Sequence, residues 1–227
     1  MWEGPYGFGS SRKMLMASLD DSLRRMNLDY VDIFYSHRYD ENTPLDETMQ
    51  ALVDIVRQGK ALYVGLSNYP VDKLLYATKY LQDNNVHCLI YQGKYNMMFR
   101  DVEQNMLKTL MSSGIGFTAF CPVAQGILTN KYLNGIPADS RIGKGHYLTE
   151  KDIRPEVLDK VARLNGMALQ RGQTLAQMAV AWILANEATT SVIIGPRTME
   201  QLKDNLGALK NTCFSDEERR MIDEILK

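Results

Sequence analysis

Tyr30–Asn68 reads YVDIFYSHRYDENTPLDETMQALVDIVRQGKALYVGLSN, and its pattern decides the fold class. It opens on a short β-rich run, Tyr30–His37, that ends in polar Ser36, His37 and Arg38. A turn follows, and Thr43-Pro44 opens a helix in N-cap and N1 fashion. Across Leu45–Arg57 the residues Leu45, Met49, Leu52, Val53 and Val56 fall on one helical face. A second β-rich run, Ala61–Asn68, again ends in polar residues, Ser67 and Asn68. Strand, amphipathic helix, strand is the unit from which parallel sheets are built.

The unit repeats outward. Further short apolar runs lie at His87–Gln92, Ile115–Pro122 and Thr190–Pro196, each bounded by turn residues, as expected of strands buried on both faces. Helical spacing covers Ser11–Met26, Val71–Gln82, Val102–Ser112, Pro155–Gln170, Leu175–Asn186, Met199–Leu209 and Asp216–Leu226. Ser215 and Glu218 form a capping-box signature before the last of these. Asn130–Ile153 is the one long irregular stretch, and a loop of that length in a compact domain is usually functional. No linker or low-complexity tract interrupts the chain, so residues 1–227 read as a single domain.

Composition excludes several classes. Of 227 residues, 45% are hydrophobic and 23% charged, the balance of an ordinary globular protein. Lys and Arg number 26 against 27 Asp and Glu, so the net charge of −1 offers nothing to attract nucleic acid or an anionic membrane. Three scattered cysteines without a C-x-x-C pattern fit free thiols in a reducing compartment and no metal site. With no membrane-length apolar run and no secretory signal, a cytoplasmic protein is the expectation.

Two parallel-sheet folds compete. An open doubly wound sheet normally carries G-x-G-x-x-G after its first strand, and no strand here is followed by it. A closed barrel gathers polar residues at the C-terminal ends of successive strands into one mouth. Such residues are present at Ser36–Arg38, Ser67-Asn68, Gln92, and Gly195 with Arg197.

These strand ends resemble a known family. Tyr35–Arg38 followed by Asp40–Pro44, Gly59–Asn68, Pro122–Tyr132 and Ile194–Asn205 are similar, in order and spacing, to the fourth, fifth, seventh and eighth strands of aldo-keto reductases. The nearest branch holds glyceraldehyde-3-phosphate/methylglyoxal-type reductases and the β-subunits of voltage-gated potassium channels. The resemblance implies an α/β fold, a (β/α)8 TIM barrel of the aldo-keto reductase type. About five of its eight β/α units would be present here and the first three missing.

It also implies NADP as cofactor. Ser67, Asn68 and Gln92 would hold the nicotinamide carboxamide, with Phe120 where a ring stacks on it. Cys121, Pro122, Val123, Ala124 and Gly126 would wrap the pyrophosphate, helped by Lys131 and Arg141. Gly195 and Arg197 would meet the adenosine 2′-phosphate, and Gln201, Asp204 and Asn205 the adenine ribose and base. Taken singly, each residue has a plainer reading: a helix N-cap for Ser67-Asn68, backbone satisfaction for Gln92, core for Phe120 and solvated charge for Lys131, Arg141 and Arg197.

For catalysis the resemblance assigns His37 to orient the carbonyl oxygen. The family's Tyr, Lys and Asp have no counterpart in this chain, although Tyr69, Tyr91 and Tyr95 lie near the expected mouth. The implied function is NADPH-dependent reduction of small aldehydes or ketones by a complete form with a start upstream of Met1. The alternative is a catalytically silent NADP-binding or regulatory protein like the channel β-subunits. Expected partners are a small carbonyl substrate and, if open sheet edges pair, a second copy of the chain.

Overall fold

The computed structural model describes residues 9–138, 140, 142 and 148–227. The expected loop similarity at Trp2–Gly7, and Arg141, lie outside them. The fold is α/β, with five parallel strands in one sheet ordered β1-β2-β3-β4-β5. These are β1 (Val31–Ser36), β2 (Ala61–Ser67), β3 (Cys88–Lys94), β4 (Gly116–Phe120) and β5 (Thr189–Val192). Sequential order contains no switch point, which a doubly wound sheet requires; it is the order found in the wall of a (β/α) barrel. The chain divides into two compact units, Met1–Gly93 with Asn105–Phe117, and Lys94–Gln104 with Thr118–Lys227.

In the first unit, α1 (Arg12–Met26) starts where Ser11 Oγ accepts from the Met14 amide and ends at left-handed Asn27. Its buried residues are Met14, Leu15, Leu19 and Leu23, the face expected from their spacing. The next helix, α2 (Leu45–Arg57), buries Met49, Ala51, Leu52, Val53 and Ile55. Its start corrects one expectation. Pro44 holds the N-cap position, and Thr43 Oγ1 donates to Asp40 Oδ2 at 2.7 Å instead of capping. Helix α3 (Val71–Asp83) buries Leu74, Ala77 and Leu81, and α4 is Met106–Ser112. Strand register runs Val31↔Ala61 to Ser36↔Leu66 and brings Ser67 beside Gln92. Gly65 is required here: a Cβ would stand 2.5 Å from the Tyr35 ring.

The second unit holds α5 (Pro155–Gln170), α6 (Leu175–Leu184), α7 (Met199–Leu206) and α8 (Asp216–Leu226). Helix α6 is buried nearly all round, and Thr174 with Gln177 forms its capping box. The Ser215/Glu218 capping box of α8 is present as expected. Arg171 joins this unit's loops. Its guanidinium pairs with Glu218, donates to Cys213 O at 2.9 Å and lies 3.7 Å from the Phe214 ring centre.

Three elements are shorter than their periodicity suggests. The helix expected over Val102–Ser112 is a 3₁₀ turn, Asp101–Glu103, followed by α4, because Tyr95 and Arg100 both hold the Glu103 carboxylate. Helix α7 tightens into a 3₁₀ turn over Gly207–Lys210. Strand β5 stops at Val192, though Ile193 N–H still donates to Ala119 O at 2.8 Å. Burial on both faces holds in β4 at Phe117, Thr118 and Ala119, whereas Leu62, Tyr63 and Leu89 of β2 and β3 are exposed. Among the described residues no helix is long and apolar enough to cross a membrane.

Candidate active site

In the first unit the polar residues converge at the ends of β1, β2 and β3. Asn68 follows β2 in the left-handed region, φ 55°, which Asn tolerates better than most residues. Its Nδ2 spends both hydrogens locally, donating to His37 O at 3.0 Å and to Ser67 Oγ at 2.9 Å. What remains is the Asn68 Oδ1 acceptor and the Ser67 hydroxyl hydrogen. Beside them in register stands Gln92, half-buried, whose amide has no hydrogen-bond partner among the described residues. One acceptor, one donor and a free amide are what a primary carboxamide needs from its host. The N-cap reading of Ser67-Asn68 fails, because the residue capping α3 is Pro70 and no side chain caps it.

His37 is exposed just beyond β1. Partial desolvation, then the Arg38 charge, holds its imidazole pKa below the ordinary 6.5, so it is neutral at pH 7. A neutral imidazole can present an N–H to an oxygen. Arg38 and Asn68 also line a cleft of about 680 Å³, with Gly9, Tyr39 and Asp40 on its wall.

No tyrosine of the three near the expected mouth is poised as an acid. Tyr69 is buried, shares a 2.8 Å hydrogen bond with Ser36 Oγ, and its pKa is pushed up by burial to about 12. The Tyr91 phenol donates to Tyr69 O at 3.0 Å and accepts from Tyr69 N–H at 3.2 Å. Tyr95, in the second unit, donates to Glu103 at 2.6 Å, and burial followed by that carboxylate raises its pKa.

The second unit carries the turn after β4. Phe120 is half-buried, and its carbonyl accepts from the Tyr95 amide at 3.3 Å. Cys121, Ala124, Gln125 and Gly126 all have positive φ, at 58°, 47°, 59° and 108°. The amides of Ala124 and Gly126 donate to Cys121 O and Val123 O. Those of Val123 and Gln125 donate to no carbonyl among the described residues, and unpaired amides in a tight turn are donors that an anion can use. Pro122 is buried beneath the turn, and Lys131 is half-buried in a 3₁₀ turn after it.

At α7 the predicted residues divide. Arg197 is exposed and its guanidinium makes no ion pair among the described residues; its backbone amide donates to Gln201 Oε1 at 2.7 Å. Gly195 has nothing within 4 Å of a hypothetical Cβ. Asn205 is half-buried. Asp204 is turned elsewhere, accepting from Thr174 Oγ1 and from Gln177 Nε2 at 2.8 Å, which pins α7 to the start of α6.

Sequence reasoning missed Asn96. It is 1% exposed, its Nδ2 donates to Cys121 O at 2.9 Å, and its Oδ1 accepts from the Met98 and Phe99 amides at 3.0 Å. The turn's first residue therefore hangs on a buried side chain twenty-five positions away. The only signal was an Asn just after a β-run.

Residues 1–227 match the aldo/keto reductase family, and the chain belongs to it. It is 51% identical to L-glyceraldehyde 3-phosphate reductase of Escherichia coli O157:H7, over 99% of this chain and 66% of that protein. It is 37% identical to a probable voltage-gated potassium channel subunit beta of Arabidopsis thaliana, over 91% of this chain and 64% of that one. The chain thus spans just under two thirds of the length of these curated relatives.

Proposed function

We propose that the chain is part of an NADPH-dependent reductase of small aldehydes or ketones, three-carbon phosphorylated aldehydes among them. The observation that carries this is the strand-end group Ser67, Asn68 and Gln92, whose uncommitted donor and acceptor atoms match a nicotinamide carboxamide. The amides of Val123 and Gln125 suit a pyrophosphate, and the unpaired Arg197 guanidinium suits the 2′-phosphate that separates NADP from NAD. Bound NADPH supplies a hydride to the carbonyl carbon. Neutral His37 donates a hydrogen bond to the carbonyl oxygen and steadies the charge that develops there.

The proton that completes the alcohol needs a positioned acid, worth roughly 10²–10⁴-fold in rate. Because Tyr69, Tyr91 and Tyr95 are all committed to other partners, residues 1–227 alone should bind cofactor with little turnover. The same observation favours the second reading, a silent NADP-binding protein; His37, where the channel subunits have Asn, favours the enzyme.

Calorimetry with NADPH and NADH tests the assignment. NADPH should bind at least tenfold more tightly, about 1.4 kcal/mol, and Arg197→Ala should erase the difference. Equal affinity for the two cofactors, unchanged by Arg197→Ala, would sink it.

A further inference from the structure

We propose that Tyr91 and Tyr69 form a latch that positions the nicotinamide end of the site, so that both are positioning residues for Asn68 and His37. The proposal deepens the cofactor reading and rests on it. Residue 69 is buried between exposed Asn68 and Pro70 in the connection from β2 to α3, and neither its N–H nor its C=O enters a sheet ladder or the helix. The single Tyr91 hydroxyl satisfies both, accepting from the amide at 3.2 Å and donating to the carbonyl at 3.0 Å. A buried peptide that gained no such partners would be unstable in this conformation.

The latch acts on Asn68 because the residue-69 amide belongs to the peptide that immediately follows Asn68. Fixing that peptide sets the Asn68 backbone, which stands at φ 55°. From there Asn68 reaches back to His37 O through Nδ2, and its own carbonyl accepts from Tyr39 N–H at 3.5 Å. The Tyr69 ring carries the link to β1 a second way, through the 2.8 Å bond to Ser36 Oγ, one residue before His37. Tyr91 itself immediately precedes Gln92 on β3. The latch therefore ties together the backbones of three residues that would meet the nicotinamide or the carbonyl, though neither tyrosine has a hydroxyl free to touch either.

The alternative is that the tyrosines only fill space and satisfy buried groups. The two differ in which part of the cofactor feels their loss. A latch affects the nicotinamide contacts alone, whereas general destabilisation weakens every part of the ligand alike. NADPH and 2′,5′-ADP, which shares the adenosine phosphates but lacks nicotinamide, separate these cases.

The test is a calorimetric titration of the 227-residue chain and its Tyr91→Phe variant with both ligands. We expect Tyr91→Phe to lower the ratio of NADPH to 2′,5′-ADP affinity at least tenfold, with 2′,5′-ADP binding held within twofold. Tyr69→Phe keeps both Tyr91 bonds and loses only the Ser36 link, so its ratio should fall two- to threefold; it serves as the second variant if Tyr91→Phe does not fold. Ratios unchanged in the folded variants would overturn the latch, as would parallel losses for both ligands. Hydrogen exchange separates failure of the latch from failure of the cofactor reading. If wild type binds NADPH no better than 2′,5′-ADP, the cofactor reading falls. The latch then stands or falls on whether Tyr69→Phe or Tyr91→Phe speeds exchange at the Asn68 and Tyr69 amides.

Discussion

The ends of β2 and β4 solve one problem with different materials. Each strand is followed at once by a left-handed residue, Asn68 at φ 55° and Cys121 at φ 58°, and a buried polar side chain bonds the backbone there, Tyr91 at residue 69 and Asn96 at Cys121 O. After β2 the left-handed residue is an Asn, which accepts that conformation readily, and its own amide braces the neighbouring strand. After β4 the run continues through Ala124 and Gln125, residues that enter the left-handed region at a cost of about 1–2 kcal/mol each. The first arrangement exposes side-chain atoms and the second exposes backbone amides. A carboxamide is read by side chains with a donor and an acceptor, whereas an anion is cradled by amides, so the two turns offer different chemistry.

The largest test of this contrast is Asn96→Ala. It removes three side-chain bonds: Cys121 O keeps the Ala124 amide and the Phe99 amide keeps the Asn96 carbonyl, while the Met98 amide is left without a partner. One unsatisfied amide costs about 1–3 kcal/mol and each of the two shared bonds about 0.5–1.5 kcal/mol, so a loss of about 3 kcal/mol is expected in urea unfolding. NADPH affinity should fall with it, because the strained turn loses its anchor. A loss under about 1 kcal/mol would mean that the turn supports itself.

Ser36→Ala probes the corresponding brace after β2. Tyr69 loses one buried partner but keeps both backbone links to Tyr91, so about 1–2 kcal/mol is expected. The Ser36 hydrogen bond holds the Tyr69 pKa down against burial, so its removal should move that pKa above its present value of about 12. Absorbance of the tyrosinate in alkaline titration reads this directly. A Tyr69 that ionises earlier in the variant would show that Ser36 does not contact it in solution.

Gln125→Gly should separate the turns by sign. Glycine occupies φ 59° without steric cost, so the variant should gain up to about 1 kcal/mol while keeping the amide at that position. Asn68→Gly should instead lose stability, since two hydrogen bonds of Nδ2 go with the side chain and little strain is relieved. Two stabilising glycines would abolish the distinction.

What the sequence disclosed, and what it did not, follows the range of the interactions. Helices α5 and α8 begin and end where apolar spacing and turn residues put them, since those signals are local. Strand-end residues could be placed because the short apolar runs end in polar residues, and Ser67 and Gln92 are adjacent in register, although β3 runs on past Gln92 to Lys94. Asn96, Tyr91 and Arg171 carry no local signature. Beside near neighbours such as Met98 for Asn96 and Gln173 for Arg171, the partners that tie them into the fold, Cys121, Tyr69 and Glu218, lie twenty-two or more residues away, so a buried Tyr or Asn reads as core or turn until the chain is folded. Asp204 adds a structural link that its place in the motif does not announce: its carboxylate joins α7 to the start of α6.

The smallest expected effect concerns acid. His37 lies in the first unit, just beyond the end of β1. Burial first, and the Arg38 charge second, keep the folded His37 pKa below the 6.5 of an unperturbed side chain. As pH falls through 6.5 the unfolded chain takes up this proton before the folded one does. Stability is therefore full above 6.5, declines through the window down to the folded pKa, and levels off below it. Because His37 is exposed, water screens the effect, and the slope should be shallow. His37→Gln should flatten it, while Arg38→Met should raise the His37 pKa toward 6.5 and narrow the window from below. NMR titration of the imidazole carbon-bound protons reads the pKa, and thermal unfolding between pH 5 and pH 7.5 reads the slope. A His37 pKa above 6.5, unmoved by Arg38→Met, would leave a partly protonated imidazole at neutral pH and remove the neutral hydrogen-bond donor on which the carbonyl-orienting role depends.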